Sequence, residues 1–399
     1  MKWWKRALVG ASALALGAVA IDAATYDADA WIADYERLKR DMAQGYANLD
    51  WQAEHRNIDL ATLDRETTKR LRNAHSRVRA TLALRDFLGK FQDPHLKLEY
   101  AGRREVQSQT SSLSGPPAPE PVVSDCAGAG YSEEDYAFRL PLTQVNGTRA
   151  VRSSWFPAAI NDDVGIIRIA AFGEDRYPAA CQSAFKPGMT SQELKLATRV
   201  KLQDELRATI GRLKAAGARH MLVDVTGNGG GTEWVSEVVA LFTDKKMTRS
   251  EAKMVGPDCD RSSVWTGAKP PCSVFTAKAD PPAEMQGTGL WNGSIVILGD
   301  RGSGSATEDF IAWLLDNDVA DYAGERSAGA GCGYVNGGNP TYLRAAPLVV
   351  RMPNCARFRK DGTNEVAGIE PTIPIALSGM KEPEQKAALA KLIQRMRTS

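Results

Sequence analysis

The sequence predicts an α/β core of parallel strands joined by right-handed crossovers, preceded by a helical region. Three observations carry this. From about residue 160 onward, short apolar runs alternate with helical patterns, the order that builds a parallel sheet. Two of the strand-to-helix junctions are glycine-rich: Asp224-Val225-Thr226-Gly227-Asn228-Gly229-Gly230-Gly231 and Gly302-Ser303-Gly304-Ser305. Between about residues 27 and 95, apolar side chains recur instead at three- and four-residue steps, the period of a helix face.

Taken in order, the chain starts with the basic run Met1-Lys2-Trp3-Trp4-Lys5-Arg6 and an apolar stretch from Ala7 to Ala20. A bilayer needs about 20 apolar residues. This shorter stretch, closed by Ala18-Val19-Ala20 with Ala23 and Ala24 as alternative cleavage points, reads as a cleaved signal peptide over residues 1–20, the alternative being an uncleaved anchor. Residues 25–100 form a helical subdomain. Trp31, Tyr35, Leu38, Met42 and Tyr46 share one helix face. A second helical pattern runs from Thr62 to Phe91, with Leu71, Ala74, Val78 and Leu82 on one side, and Asp93-Pro94 stops it. Residues 101–150 are a linker or irregular segment, because Gln107 to Val122 is rich in Ser and Pro and lacks periodicity. The core spans 151–380. Its strands are Val164 to Ile169, Met221 to Val225 and Ser294 to Leu298. Its helices run from Ser191 to Ala216, stopped by Gly217, from Thr232 to Phe242, and from Ala306 to Leu315. Residues 381–399 read as a basic amphipathic helix packed on the core.

The length of 399 residues suits two or three units. A net charge of +2 is too small to imply a nucleic-acid partner. The six cysteines all follow the signal segment, which fits an oxidising compartment. Nearest-neighbour pairing is the simplest arrangement: Cys126 with Cys181, Cys259 with Cys272, and Cys332 with Cys355, although sequence leaves connectivity open. No Cys or His spacing suggests zinc, so no metal is expected.

Both glycine junctions should open at the carboxyl end of the sheet, where ligands gather in such folds. Ser305, at the start of a helix, has its hydroxyl near the positive end of the helix dipole, and the Ala306 N–H points into the same space. Ser305-x-x-Glu308 is equally a capping box. The first junction lacks the Gly-Lys-Ser/Thr of a phosphate cradle, but its N–H groups suit an oxyanion, with Gly231 as donor and Gly230 and Ser303 as supporting residues. A serine nucleophile needs a base. Of the four histidines, His75 lies in a charged helical stretch, His220 precedes a strand at the far end from the glycine turns, and His55 sits in a polar loop. His95 follows the Pro-terminated helix.

The set Asp224…Asn228-Gly229-Gly230-Gly231, Gly302-Ser303-Gly304-Ser305-Ala306-Thr307-Glu308 and Gly368-Ile369-Glu370-Pro371 resembles the C-terminal-processing and tricorn-type serine peptidase family. The resemblance covers residues 27 to 375. It implies a crotonase-like (ClpP-like) α/β core. One branch of the family uses a Ser-Lys dyad, but Gly324-Glu325-Arg326-Ser327-Ala328-Gly329-Ala330-Gly331 contains no lysine, and none occurs between Lys278 and Lys360. The tricorn-like branch uses a histidine after the helical region and a glutamate three residues before Gly-x-x-Pro. These positions are His95 and Glu365 here. Tricorn itself has a serine directly before the histidine. This chain has Pro94 there, so the link from histidine to glutamate is direct or made by another group. Thr372 stands after the Gly-x-x-Pro motif where aspartate is usual. The segment from 101 to 160 is too short and too rich in Pro and Ser for the PDZ domain many members carry. This places the chain near PDZ-lacking members that resemble interphotoreceptor retinoid-binding modules.

The expected protein is a secreted or periplasmic serine endopeptidase working through an acyl-enzyme on Ser305, with no cofactor. Its partner is a peptide or protein substrate, not nucleic acid, and not a membrane once the signal is removed. Its oligomeric state is left open. The alternative is a catalytically silent module binding an apolar ligand or peptide, since a fold alone does not determine function. A crotonase-type acyl-CoA enzyme shares the oxyanion logic, but export argues against it.

Overall fold

A computed structural model describes residues 26–101, 120, 122–133, 135–272 and 282–398. The signal segment 1–20 and residues 102–119 of the linker lie outside the described residues. The chain divides into two units, one built from 1–115, 253–279 and 333–356, the other from 116–252, 280–332 and 357–399.

The first unit begins with four helices: α1 (Ala28–Gly45), α2 (Leu49–His55), α3 (Leu60–Arg72) and α4 (Arg77–Gly89). Asp27 caps α1 by accepting from the N–H groups of Asp29 and Ala30 at 3.0 and 3.1 Å. The face of α1 formed by Trp31, Tyr35, Leu38 and Met42 is buried, as its periodicity predicts. The single helix expected from Thr62 to Phe91 is two. His75 takes a positive φ of 53° between them, and the Ser76 hydroxyl restarts the helix by accepting the Arg79 N–H at 3.2 Å. The break resets the helical phase. Ala80, Ala83, Leu84, Phe87 and Leu88 are buried, while Val78 and Leu82 face solvent. A small antiparallel sheet, Lys97–Tyr100 beside Leu348–Arg351 beside Thr341–Tyr342, completes this core with Val264, Trp265 and Met352. Buried Arg261 donates to the carbonyls of Ala43 (2.9 Å) and Tyr46 (2.7 Å) at the end of α1, and pairs with Asp50 at 3.1 Å. Cys259 and Cys272 are bonded in this unit.

The second unit is organised by a seven-stranded sheet: β1 (Thr148–Val151), β2 (Ala158–Asn161), β3 (Val164–Arg168), β4 (His220–Asp224), β5 (Ser294–Gly299), β6 (Asp321–Gly324) and β7 (Ile373–Pro374). Spatial order follows chain order. Strands β3 to β7 are parallel, and β1 and β2 join antiparallel at one edge. Successive side chains of a strand point to opposite faces. Ile167, Met221, Val223, Ile295 and Ile297 pack with α6 (Ser191–Ala215), α7 (Trp234–Val239) and α8 (Ala306–Leu315), with the short α5 (Pro178–Ala184) alongside α6. Val164, Ile166, Leu222, Val296 and Leu298 pack with the terminal helix α9 (Glu382–Thr398) through Leu389, Leu392, Ile393 and Met396. α6 opens with a reciprocal capping box between Thr190 and Glu193.

Cys126 bonds Cys181 in this unit, and Cys332 and Cys355 are disulfide-bonded as well. Both described pairs match nearest-neighbour expectation. The disulfides point to a non-cytoplasmic protein. Among the described residues, no helix is long and apolar enough to cross a membrane.

Candidate active site

In the second unit the two glycine junctions leave the carboxyl ends of the adjacent strands β4 and β5 and are tied together. Asp300 Oδ1 accepts the N–H of Gly227 at 2.7 Å and of Gly302 at 2.9 Å. Ser303 Oγ donates to the Val225 carbonyl at 2.8 Å, and Gly304 N–H to the Asn228 carbonyl at 3.0 Å. Asn228 is buried. Its side chain donates to the Ile169 carbonyl at 3.0 Å and accepts the Gly230 N–H at 2.9 Å.

The outcome is contact between the glycine run and the serine turn. A Cβ added at Gly230 would lie 2.7 Å from the Ala306 nitrogen and 2.8 Å from Ser305 Cβ, so only glycine fits. Gly231 pairs with Phe172 in a parallel bridge. Among the described residues, no acceptor takes the N–H of Gly231 or of Ala306. Beside Gly229, Gly230 and Gly231 lies a cavity of about 580 Å³, whose walls include Tyr131, Glu174, Arg176 and Lys195.

Ser305 heads α8 with φ 58° and ψ −118°, a backbone conformation that non-glycine residues rarely adopt and that costs about 1–3 kcal/mol. Glu308 anchors it. This fully buried carboxylate accepts the Ser305 N–H at 2.9 Å, as in a capping box. It also accepts the Ser327 hydroxyl (2.6 Å) and the N–H groups of Gly329 (2.7 Å), Ala330 (3.0 Å) and Gly331 (2.7 Å). Burial raises its pKa and the charge of Glu365 adds to this, while the Ser327 and backbone donors oppose.

Glu365 is also fully buried and lies between two guanidiniums. Arg249 Nη2 donates to its Oε1, and Arg357 Nε to its Oε2 at 3.1 Å. Burial alone would push this carboxyl up. Arg249 and Arg357 more than offset that and hold it below the usual range. Arg357 also donates to the Ser305 carbonyl at 3.1 Å, linking Glu365 to the serine turn. Neither arginine was identified from sequence. Arg249 is far from Glu365 along the chain, and no local pattern marks either one.

His95 belongs to the first unit. Its N–H donates to Asp93 Oδ1 at 2.9 Å, and its carbonyl accepts the Tyr334 hydroxyl. The Tyr334 ring meets the imidazole edge-on, with centroids 5.3 Å apart. A Cβ at Gly333 would lie 2.9 Å from His95 Nε2, so the Gly333 backbone runs close along the imidazole. Of the other histidines, His55 Nδ1 contacts the Trp51 carbonyl (3.0 Å), and His220 Nδ1 contacts Ser294 Oγ (2.7 Å) at the start of β4. His75 is exposed.

The turn before His95 predicts a pH effect. Burial pushes Asp93 up to about 6, against hydrogen bonds from the His95 N–H, Tyr46 and Asn48. Its ordinary value is 3.8, so the fold loses stability as pH rises from about 4 to about 6, by about 3 kcal/mol for this group. Asp93→Asn is expected to remove that loss. Urea midpoints measured from pH 4 to 7 check it: the gap between variant and wild type should grow in the variant's favour across this window. A gap that does not change with pH would refute it.

Residues 163–375, just over half of the chain, match the family model for peptidase family S41. Among solved structures, the chain is similar to a putative peptidase from Parabacteroides merdae ATCC 43184 (16% identity, 90% of this chain and 95% of that one covered, TM-score 0.57). It is also similar to mature CPAF, solved in complex with lactacystin (12% identity, 93% and 99% covered, TM-score 0.61). At these identities the likeness speaks to fold. No curated protein is matched.

Proposed function

Because the chain belongs to peptidase family S41, and is thereby a serine-type peptidase acting on peptide or protein substrates, we propose that it is a secreted or periplasmic endopeptidase with Ser305 as its nucleophile. The observation that carries this is the strained Ser305 at the head of α8, with the unclaimed N–H of Ala306 next to it and Gly230 pressed against both. Ser305 Oγ attacks the scissile carbonyl. The N–H groups of Gly231 and Ala306 hold the oxyanion, with Gly230 and Ser303 shaping the turn that presents them. His95 takes the serine proton and returns it to the leaving amine. Water then releases the acyl group by the reverse route. Glu365 stays ionised between its arginines and stabilises the imidazolium, a role that matches its place before Gly368. Pro94 supplies no hydroxyl to this relay.

The same reading takes the core to be crotonase-like, without a PDZ domain and of the tricorn-like branch. Strands β3 to β7 succeeding one another without reversal, and the absence of lysine from 324–331, support this. The cavity beside Gly230 suits a substrate side chain. Incubation of the exported, disulfide-intact protein with a fluorophosphonate probe tests the nucleophile. Labelling should map to Ser305 and vanish in Ser305→Ala at unchanged melting temperature. A folded protein that stays unlabelled would sink the assignment.

A further inference from the structure

So far Arg357 has one role, shared with Arg249, in keeping Glu365 ionised, yet its side chain, only 16% exposed, touches four parts of the serine region. Its Nε donates to Glu365 Oε2 at 3.1 Å, and its Nη1 lies 3.5 Å from Asp309 Oδ1. Its Nη2 donates to the carbonyls of Ser305 (3.1 Å) and Gly331 (3.2 Å). We propose that Arg357 is a positioning residue that orients and polarises the Ser305–Ala306 peptide, making the Ala306 N–H a stronger oxyanion donor. This rests on the reading of Ser305 as the nucleophile.

The Ser305 carbonyl and the Ala306 N–H belong to one trans amide and point to opposite sides of it. A cation hydrogen-bonded to the oxygen fixes the plane and draws density from nitrogen through amide resonance. The N–H opposite becomes more acidic, and hydrogen bonds linked in this way strengthen each other at low dielectric. The Asp309 N–H shares the same oxygen at 3.1 Å, so the helix and the arginine hold the plane together. Ala306 is the first residue of α8, where a helix leaves its N–H without an internal acceptor. The contact to Gly331 ties in the loop that Glu308 grips, so one fork spans both supports of the turn. Glu365 and Asp309 balance the buried charge and hold the guanidinium protonated. Lysine cannot reproduce this planar fork.

Arg249 is the internal control. It pairs with Glu365 and, at 2.7 Å, with Asp309, but among the described residues it does not reach the Ser305 carbonyl. Its loss disturbs the ion pairs without touching the peptide.

The test uses fluorophosphonate-rhodamine, whose tetrahedral adduct places an oxygen in the oxyanion site. Arg357→Lys, Arg357→Gln and Arg249→Lys are compared with wild type in the full-length exported protein, measuring both the second-order rate constant and the final labelled fraction across pH. Losing a direct oxyanion donor slows such enzymes about 10²–10³-fold. An indirect loss should slow labelling by about 10–100-fold in both Arg357 variants, with a full final labelled fraction and an unmoved pH midpoint. Arg249→Lys, which disturbs Glu365 but not the Ser305 carbonyl, should slow labelling by less than either Arg357 variant. Wild-type rate constants in the Arg357 variants would overturn the proposal. So would an equal loss in Arg249→Lys, which would assign the effect to Glu365. A fall in labelled fraction at an unchanged rate constant in both Arg357 variants would assign Arg357 to the fold and also overturn it. Absence of labelling in the wild type would instead be the failure of the nucleophile assignment itself.

Discussion

Glu308→Gln is expected to cost about 3–5 kcal/mol of stability and to abolish labelling of Ser305, because no neutral isostere satisfies a site made only of donors. Five groups point at this carboxylate: the Ser327 hydroxyl and the N–H groups of Ser305, Gly329, Ala330 and Gly331. An amide brings two donors of its own. With its NH₂ toward Ala330, Gly331 and Ser305, three buried N–H groups lose their acceptor. Flipped, it orphans Gly329 and meets a Ser327 oxygen already accepting the Ile369 N–H at 2.7 Å. Burial and the charge of Glu365 favour a neutral group here and offset part of the loss, but an amide cannot accept at both ends as the carboxylate does. Without the anchor, Ser305 is free to relax from its strained φ and ψ. Denaturant unfolding and fluorophosphonate labelling of the same preparation decide it. A variant within about 1 kcal/mol of wild type and fully labelled would show that the carboxylate does not organise the turn.

Glu308 also shows how far the sequence could be read. Its spacing from Ser305 marks a capping box, and that contact is present. The other four donors come from 327–331, and no local pattern announces them. The central strands β3, β4 and β5 and the helices α6 to α9 were legible because apolar runs and glycine stops are local signals, whereas β1, β2, β6, β7 and the short α5 were not read. The helix break at Asn73–Ser76 was missed because Val78 and Leu82 continue the earlier period, and only packing shows that they face solvent. Asp224 stood out beside its glycines. Its partner Arg168, an arginine inside the apolar run Ile166-Ile167-Arg168-Ile169, gave no hint that it was fully buried. Glu365 came from motif spacing. The two guanidiniums that set its charge are joined to it only by the fold.

The Arg168–Asp224 pair carries the other large expectation. Both side chains have zero exposure, at register partners on β3 and β4 just before the first glycine junction. Arg168 Nη1 donates to Asp224 Oδ2 (3.0 Å) and to the Thr226 carbonyl (3.0 Å), while Asp224 Oδ1 accepts the N–H (2.9 Å) and hydroxyl (2.7 Å) of Thr226. Asp224→Ala leaves a buried guanidinium without its counter-charge and frees Thr226, so it should cost about 3–5 kcal/mol. Burial raises the pKa of Asp224 more than Arg168 lowers it. In the folded chain this carboxyl takes up its proton at a higher pH than in the unfolded chain, so acid does not weaken the fold through it. Taking two charges fully out of water costs about as much as their attraction returns, so well-packed apolar residues of similar volume can replace such a pair. Arg168→Met with Asp224→Leu should therefore recover most of what Asp224→Ala loses. Urea unfolding of Arg168→Met, Asp224→Leu and the double variant closes the cycle that measures the coupling, with Asp224→Ala beside them. A double variant as unstable as Asp224→Ala would mean that the ion pair itself, and not the uncompensated charge, supports the junction from which Gly230 and Gly231 reach Ser305.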